Sequence, residues 1–306
     1  MPIRVINQLG RRAGEAITAA VPDVEVIDTG ADPPPADLRA DVLFGGWGPH
    51  TLELAQRVEW VHLAGTGIDS FPRELFDGRT VTNARGASAI PISEFVLAAM
   101  LAFEKRLPET WIEQPPEHWN FAQLGWLNTR TLGLVGLGGI GVAIAERALP
   151  FGMRVQALRR RPEPSPIGGV EVVSSIEELL PEADHLVLAA PATHRTRRVI
   201  NADTLQLVRP GVHLVNIARG ALVDQDALRE ALDDGRVAMA TLDTVDPEPL
   251  PEGHWMYSHP KVRLSAHVSW ASPAGLDRTL EIFLDNLRRY AAGESLLHHV
   301  DADEGY

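Results

Sequence analysis

The chain has 306 residues, of which 45% are hydrophobic and 23% are charged, a balance typical of a globular protein with sizeable buried cores. Its 28 basic and 41 acidic residues give a formal net charge of −13, which argues against general nucleic-acid binding. The sequence contains no cysteine, so disulfides, thiolate catalysis and thiolate metal sites are excluded. Because no apolar run has membrane-spanning length and the N-terminus lacks a signal-peptide core, we expect no membrane partner and a cytoplasmic location.

Strands and helices alternate over the first ninety residues, which predicts a mostly parallel sheet covered by helices. The predicted strands are Arg4–Leu9, Val24–Asp28, Asp41–Phe44, Val58–Ala64 and Thr80–Asn83, and the predicted helices are Arg11–Ala20 and Thr51–Arg57. The run DPPP at Asp32–Pro35 predicts a loop. Ile92–Phe103 is apolar on nearly all sides, which predicts a buried helix that joins the two halves of the chain.

The segment 108–125 after this helix is rich in proline and aromatic residues, so it cannot form one regular element. Its side chains Trp111 and Trp119 leave two interpretations open. They pack against a partner subunit, or they cap their own domain.

Residues 131–160 have the order strand, glycine-rich turn, helix and strand. The elements are a strand at Thr131–Val135, a helix at Val142–Leu149 and a second strand at Val155–Leu158. Gly136, Gly138 and Gly141 form G-x-G-x-x-G between them: the first allows a tight turn, the second lets backbone approach a diphosphate, and the third lets helix pack on strand. A helix N-terminus favours the negative charge of that diphosphate. The order of elements therefore predicts a dinucleotide site rather than a turn without a ligand.

The alternation continues to the end of the chain. Strands are predicted at Val170–Val173, His185–Ala189, His213–Ile217, Val237–Leu242 and Val262–Ala266, and helices at Ser175–Leu180, Ala202–Leu207, Gln225–Asp233 and Pro273–Ala292. Asp224 is expected to cap the third of these helices. The last helix is expected to place Leu276, Leu280, Phe283 and Leu287 on one apolar face.

Three polar segments follow predicted strands, where open α/β sheets place their ligands. They are NIARGALVD at 216–224, LDTVDPEPLP at 242–251 and SAHVSW at 265–270. Together with the glycine loop, these segments resemble the D-specific 2-hydroxyacid dehydrogenase family. The resemblance covers nearly the whole chain, including WVHLAGTGID at 60–69, TNARG at 82–86 and PATHRTRRVIN at 191–201.

The resemblance implies an α/β fold of two Rossmann-like domains with parallel sheets. A cofactor domain, residues 92–271, is expected to be inserted into a flavodoxin-like substrate domain made of residues 1–91 and 272–306. The active site is expected in the cleft between them, with hinge closure over the substrate. A homodimer formed through the cofactor domains is also implied.

The resemblance further implies a catalytic set. Arg219 is expected to bind the substrate carboxylate and polarise the carbonyl, because a guanidinium offers paired donors in one plane; the alternative is a surface ion pair. His267 is expected to be the acid/base, and Glu248 the carboxylate that orients its ring. Backbone N–H groups of Thr66 and Gly67 are expected to hold the substrate carboxylate as well, unless this loop is an ordinary turn.

Contacts to the dinucleotide are implied along the glycine loop and at strand ends. The implied residues are Gly136, Gly138, Gly139, Ile140, Gly141, Arg159, Arg160, Pro191, Ile217, Ala218, Asp243 and His267. Among them Asp243 is expected on the nicotinamide side. The implied reaction is direct hydride exchange with a carbonyl carbon, and it requires no metal.

Arg159 departs from the family pattern, since members that use NAD carry an acidic residue there to bind the adenosine ribose. An arginine cannot accept the ribose hydroxyls, but it pairs with a 2′-phosphate. Arg159 and Arg160 therefore predict a preference for NADP(H), with NAD(H) and a solvated basic loop as the alternative. Two further departures are Ala266, where the family usually has proline, and Trp270, whose bulk is expected to narrow the pocket.

The leading prediction is an NADP(H)-dependent reductase of a small 2-oxo acid, of the glyoxylate or hydroxypyruvate type. Formate oxidation is less expected, because formate-oxidising relatives usually pair the histidine with glutamine rather than with a residue such as Glu248. Two alternatives stay open: an NAD-dependent dehydrogenase of a bulkier 2-hydroxy acid, and a dinucleotide-sensing protein resembling the corepressors of this family.

Overall fold

The structure is a computed structural model that describes residues 2–30, 34–161 and 163–305. The chain divides into two compact units, Met1–Ser88 together with Ser272–Tyr306, and Ala89–Ala271. Asp32 and Pro33 of the predicted proline loop lie outside the described residues. Among the helices that the structure describes, none combines the length and the apolar composition needed to cross a membrane.

Short parallel strands separated by helices make up both units. The strands are β1 (Ile3–Asn7), β2 (Val24–Asp28), β3 (Val42–Gly45), β4 (Trp60–Leu63), β5 (Thr80–Asn83), β6 (Thr131–Val135), β7 (Arg154–Leu158), β8 (Val170–Val173), β9 (His185–Leu188), β10 (Val212–Asn216), β11 (Val237–Leu242) and β12 (Val262–Leu264). The helices are α1 (Arg11–Ala20), α2 (Thr51–Ala55), α3 (Ala89–Glu104), α4 (Gly139–Ala148), α5 (Ile176–Leu179), α6 (Gln225–Asp233) and α7 (Gly275–Ala292).

The first unit contains a five-stranded parallel sheet in the order β2-β1-β3-β4-β5, which is the flavodoxin-like order. Helix α7 packs on this sheet through its predicted apolar face. Leu280, Phe283 and Leu287 on that face are buried, and the Phe283 ring stacks on Phe44 of β3 with centroids 3.9 Å apart. The C-terminal segment of the chain thus completes the core begun by the N-terminal segment.

The second unit contains a seven-stranded parallel sheet in the order β12-β11-β10-β9-β6-β7-β8. The strand order reverses between β6 and β9, and such a switch point is where doubly wound sheets bind ligands beyond their carboxyl ends. One apolar cluster packs α3 and α4 against the sheet, and a second cluster contains residues of α5 and α6. The predicted fold of two parallel-sheet α/β domains is confirmed.

Local predictions had mixed outcomes. The predicted cap of α6 is confirmed, because the Asp224 carboxylate accepts the backbone N–H of Ala227 at 3.2 Å. The helix predicted at Ala202–Leu207 is wrong, since only a single 3-10 turn forms at Thr204–Gln206. Asn201 explains the difference: its side-chain oxygen accepts two following backbone N–H groups, which favours a turn over a longer helix. The segment 108–125 contains no helix or strand among its described residues, as predicted.

His62 on β4 is completely buried in the first unit, with Nδ1 2.7 Å from the Thr82 hydroxyl oxygen. Burial, and to a smaller extent the nearby His298, lower the pKa of His62 from 6.5 to about 3. The neutral ring is therefore the native form. In the unfolded chain the same ring takes up a proton near its ordinary pKa.

We therefore expect the free energy of unfolding to fall as the pH drops from about 6.5 towards 3, by up to ~1.4 kcal/mol per pH unit from this group. Acid favours unfolding in this range because only the unfolded state binds the proton there. Urea unfolding at several pH values measures the slope. The His62→Phe variant should show a shallower slope, whereas His118→Phe, at an exposed histidine, should not. Equal slopes for wild type and His62→Phe would contradict the expectation.

Candidate active site

The glycine loop follows β6 at the switch point of the second unit. Gly136 has φ +108°, and a Cβ there would lie 2.8 Å from the backbone nitrogen of Ala190. A Cβ on Gly141 would lie 2.3 Å from the carbonyl oxygen of Gly136. Both glycines are thus required by the close packing of strand, turn and helix. Gly138 differs, because no described atom lies within 4 Å of a Cβ built on it.

These three environments fit a bound dinucleotide. The open side of Gly138 leaves room for a diphosphate to approach the backbone, and α4 begins at the next residue, Gly139. The N-cap residue of this helix is Gly138, and no side-chain hydrogen bond caps the helix among the described residues. Ile140 and Gly141 continue the first turn, so the helix presents its N-terminal end to this space. The loop can hold an anionic group by its backbone.

Arg159 lies just beyond β7, which is the neighbour of β6 in the sheet. Its guanidinium donates to the carbonyl oxygens of Glu163 and Pro164, at 3.3 and 2.7 Å, and to the Glu163 carboxylate at 3.0 Å. Arg160 is exposed. The predicted 2′-phosphate ligand Arg159 is therefore at the expected strand end, but its guanidinium is held by its own loop.

The segment after β10 is folded by Asn216. Its side-chain nitrogen donates to the carbonyl of Arg219 at 2.8 Å, and its side-chain oxygen accepts the N–H of Ala218 at 3.1 Å. The Arg219 guanidinium donates to the Ala218 carbonyl at 2.7 Å. A Cβ on Gly220 would lie 1.9 Å from the carbonyl carbon of Val245, so this glycine lets the segment after β11 pack against the arginine turn.

Asp243 follows β11 and is 1% exposed. Its carboxylate accepts the Ser265 hydroxyl at 2.6 Å and the backbone N–H groups of Val268 and Ser269 at 2.9 and 3.0 Å. Burial raises the pKa of Asp243, but the hydrogen bonds from Ser265, Ser269 and Val268 outweigh it and leave the pKa below its ordinary value. Asp243 thus holds the 265–269 loop as a carboxylate anion. A nicotinamide contact for Asp243 stays a prediction.

His267 on that loop contacts Glu248, which lies on the segment after β11. His267 Nδ1 lies 2.9 Å from Glu248 Oε2, and the other carboxylate oxygen of Glu248 accepts the N–H of Val245 at 3.1 Å. Both side chains are more than one third exposed. With Nδ1 bonded to the carboxylate, Nε2 is the ring nitrogen available for proton exchange with a bound molecule. Such a pair can carry out acid–base chemistry, and its catalytic role stays a prediction.

The remaining predicted residues lie at other strand ends. Pro191 follows β9, and Ile217 lies directly beyond β10. Thr66 and Gly67 belong to the first unit, in the loop after β4, where the Asn83 side chain donates to the Thr66 carbonyl at 2.8 Å. A role of this loop in binding the substrate stays a prediction.

The second unit therefore brings the glycine loop, the Arg159 segment, the Arg219 turn and the His267–Glu248 pair to the carboxyl ends of one parallel sheet. Sequence reasoning missed the residues that hold these segments in place, above all Asn216 and Ser265. Both lie inside the quoted motifs, but nothing in the sequence shows which neighbours their side chains bind. It also missed that His267 has φ +53°, a left-handed conformation.

A family model described as D-isomer specific 2-hydroxyacid dehydrogenase, NAD binding domain, matches residues 97–269. A glyoxylate reductase from Thermococcus litoralis is 32% identical over 265 residues, which cover 82% of this chain and 80% of that protein.

Two solved structures resemble the chain over almost its full length, each with a TM-score of 0.85. One is a D-isomer specific 2-hydroxyacid dehydrogenase from Xanthobacter autotrophicus Py2 in complex with NADPH and MES, 26% identical and covering 100% of this chain and 99% of that one. The other is an NADPH-dependent glyoxylate/hydroxypyruvate reductase from Sinorhizobium meliloti in complex with NADP and sulfate, 25% identical and covering 99% and 100%. The chain therefore belongs to the D-isomer specific 2-hydroxyacid dehydrogenase family and is an oxidoreductase of CH–OH donors that uses a nicotinamide dinucleotide.

Proposed function

We propose that this protein reduces a small 2-oxo acid of the glyoxylate or hydroxypyruvate type with NADP(H) as its preferred cofactor. The observation that carries the proposal is the His267–Glu248 pair, whose side chains lie 2.9 Å apart. The pair lies at the carboxyl ends of the parallel strands, where the Arg219 turn and the glycine loop also lie. The glyoxylate reductase relatives support the substrate class. The unit 89–271 is proposed as the cofactor domain, and the unit formed by 1–88 and 272–306 as the substrate domain.

A reduced nicotinamide dinucleotide held by the glycine loop would supply the hydride for the carbonyl carbon. Arg219 binds the substrate carboxylate and polarises the carbonyl oxygen, where negative charge develops. His267 donates a proton from Nε2 to that oxygen, and Glu248 holds the ring through Nδ1. Backbone N–H groups of Thr66 and Gly67 are proposed as further donors to the substrate carboxylate.

Arg159 and Arg160 support NADP(H), because both follow β7 and their positive charges attract a 2′-phosphate, which an acidic residue at this strand end would repel. The NADPH and NADP complexes of the two similar structures point the same way. One observation favours NAD(H) as the second candidate, because Glu163 already pairs with the Arg159 guanidinium at 3.0 Å. The two cofactors are therefore to be compared directly.

We also propose a homodimer in the cytoplasm. The segment 108–125 supports the assembly, because its Trp111, Trp119 and Phe121 side chains are 72%, 71% and 81% exposed. Such side chains do not cap their own unit, and large apolar side chains exposed in one segment are typical of a protein interface.

The acid–base role predicts that His267→Ala lowers kcat for glyoxylate reduction by roughly 10²- to 10⁴-fold, because the proton donor is lost. Binding of NADPH, followed by fluorescence titration, should persist. His259→Ala is the control, since His259 lies before the amino end of β12, away from the carboxyl end that leads to His267, and pairs with Asp233. A wild-type protein without turnover on a panel of 2-oxo acids of graded size would reject the proposed function.

The cofactor preference predicts a higher kcat/KM with NADPH than with NADH. Arg159→Ala should lower kcat/KM for NADPH about tenfold, the ~1.4 kcal/mol expected of one charged hydrogen bond, and leave the NADH value unchanged. Arg154→Ala is the matched control, because Arg154 begins the same strand and pairs with Glu171 and Glu182. Equal or better use of NADH by the wild type would refute the preference.

The glycine loop predicts that two similar substitutions have different effects. Gly138→Ala should weaken NADPH binding without a change in Tm, because its Cβ meets no protein atom but occupies the approach to the backbone. Gly141→Ala should lower stability by about 1–3 kcal/mol, because its Cβ collides with the Gly136 carbonyl. Calorimetric titration and thermal unfolding of both variants test the contrast; a Tm loss in Gly138→Ala as large as in Gly141→Ala would contradict it.

A further inference from the structure

We propose that Trp270 is a positioning residue that fixes the catalytic imidazole of His267 through the backbone. The proposal rests on the proposed function, in which His267 exchanges a proton with the substrate. The proposal is based on one hydrogen bond, in which the indole Nε1–H of Trp270 donates to the backbone carbonyl of His267 at 2.8 Å.

His267 needs such support because of its backbone conformation. Its φ of +53° lies in the left-handed region, which costs free energy for a residue with a side chain and persists only when neighbouring groups over-determine it. Three different groups hold the residue. Its N–H donates to the Asp243 carbonyl at 2.9 Å, its C=O accepts from Trp270, and its ring binds Glu248.

The loop is held from two sides. On the buried side the Asp243 carboxylate accepts the N–H groups of Val268 and Ser269. On the exposed side the Trp270 indole reaches back past the same two residues and donates to the His267 carbonyl. Without the indole donor, the peptide that follows His267 is held only at its N–H end, by the bond from Val268 to Asp243, and the His267 carbonyl loses its partner.

The chemistry of the indole suits this place. It is a donor without charge that does not titrate, so it neither competes with His267 for the Glu248 carboxylate nor changes with pH. Trp270 is 52% exposed, so burial of apolar surface does not by itself explain the position of its ring.

The test compares wild type with Trp270→Phe, which keeps an aromatic ring and loses the N–H donor. We expect kcat to fall roughly 10- to 100-fold, as for a displaced catalytic group, with little change in Tm or in the KM for the cofactor. Trp126→Phe makes the same chemical change at another exposed tryptophan, 62% exposed, and should behave as wild type.

A second measurement needs neither cofactor nor substrate. In ¹⁵N-histidine-labelled protein, the His267 ring signals are assigned by their loss in His267→Ala. In Trp270→Phe these signals should shift or broaden, whereas in Trp126→Phe they should not move. A residue that only shields the loop would leave the ring signals in place. Site-specific incorporation of benzothienylalanine at position 270, which keeps the bicyclic ring but has sulfur instead of N–H, should reproduce the effect of Trp270→Phe.

The outcomes separate the two proposals. A wild-type protein that reduces no 2-oxo acid rejects the proposed function, while the ring signals still report whether Trp270 positions His267. An active wild type, an inactive His267→Ala and a Trp270→Phe variant with normal kcat and unmoved ring signals overturn the role of Trp270. A loss of kcat with unmoved ring signals overturns it as well, because Trp270 then acts on the bound molecule and not through His267.

Discussion

The candidate active site depends on one buried carboxylate, that of Asp243. Three donors from the loop after β12 converge on it, while its own backbone N–H bonds to the Asn216 carbonyl at the end of β10. It thus ties the ends of three neighbouring strands, β10, β11 and β12, into one surface. A buried anion without donors would be costly, so the donors of this loop stabilise the loop over the carboxylate. These bonds bring His267 to the position where it meets Glu248.

Much of the fold follows from sequence pattern alone. Apolar runs bounded by glycine and polar residues located the strands, and in both units the alternation of strands and helices gave the parallel sheets. The failure at Ala202–Leu207 has a local cause, because Asn201 and Thr204 satisfy backbone groups by side-chain bonds and the chain turns instead. Helical spacing of apolar residues carries no information about such competing bonds.

The site was predictable to a different extent at each residue. Glycine spacing predicts a dinucleotide loop, and motif resemblance pairs Glu248 with His267, whose side chains lie 2.9 Å apart in the structure. Contacts that join distant segments were not predictable. The Ser265 bond to Asp243 spans 22 residues and depends on two strands lying side by side. The sequence predicts Arg159 as a basic residue at the end of the strand that precedes it, but its bond to Glu163 is visible only in the folded loop.

The histidines show why environment decides chemistry where residue type cannot. His62 and His213 lie within strands and are completely buried, and burial lowers the pKa of each, so both rings are neutral parts of their cores. His267 is the same residue type in a loop, more than one third exposed and next to a carboxylate. In this chain a loop anchored on Asp243, rather than a strand, gives a histidine both solvent exposure and a carboxylate partner.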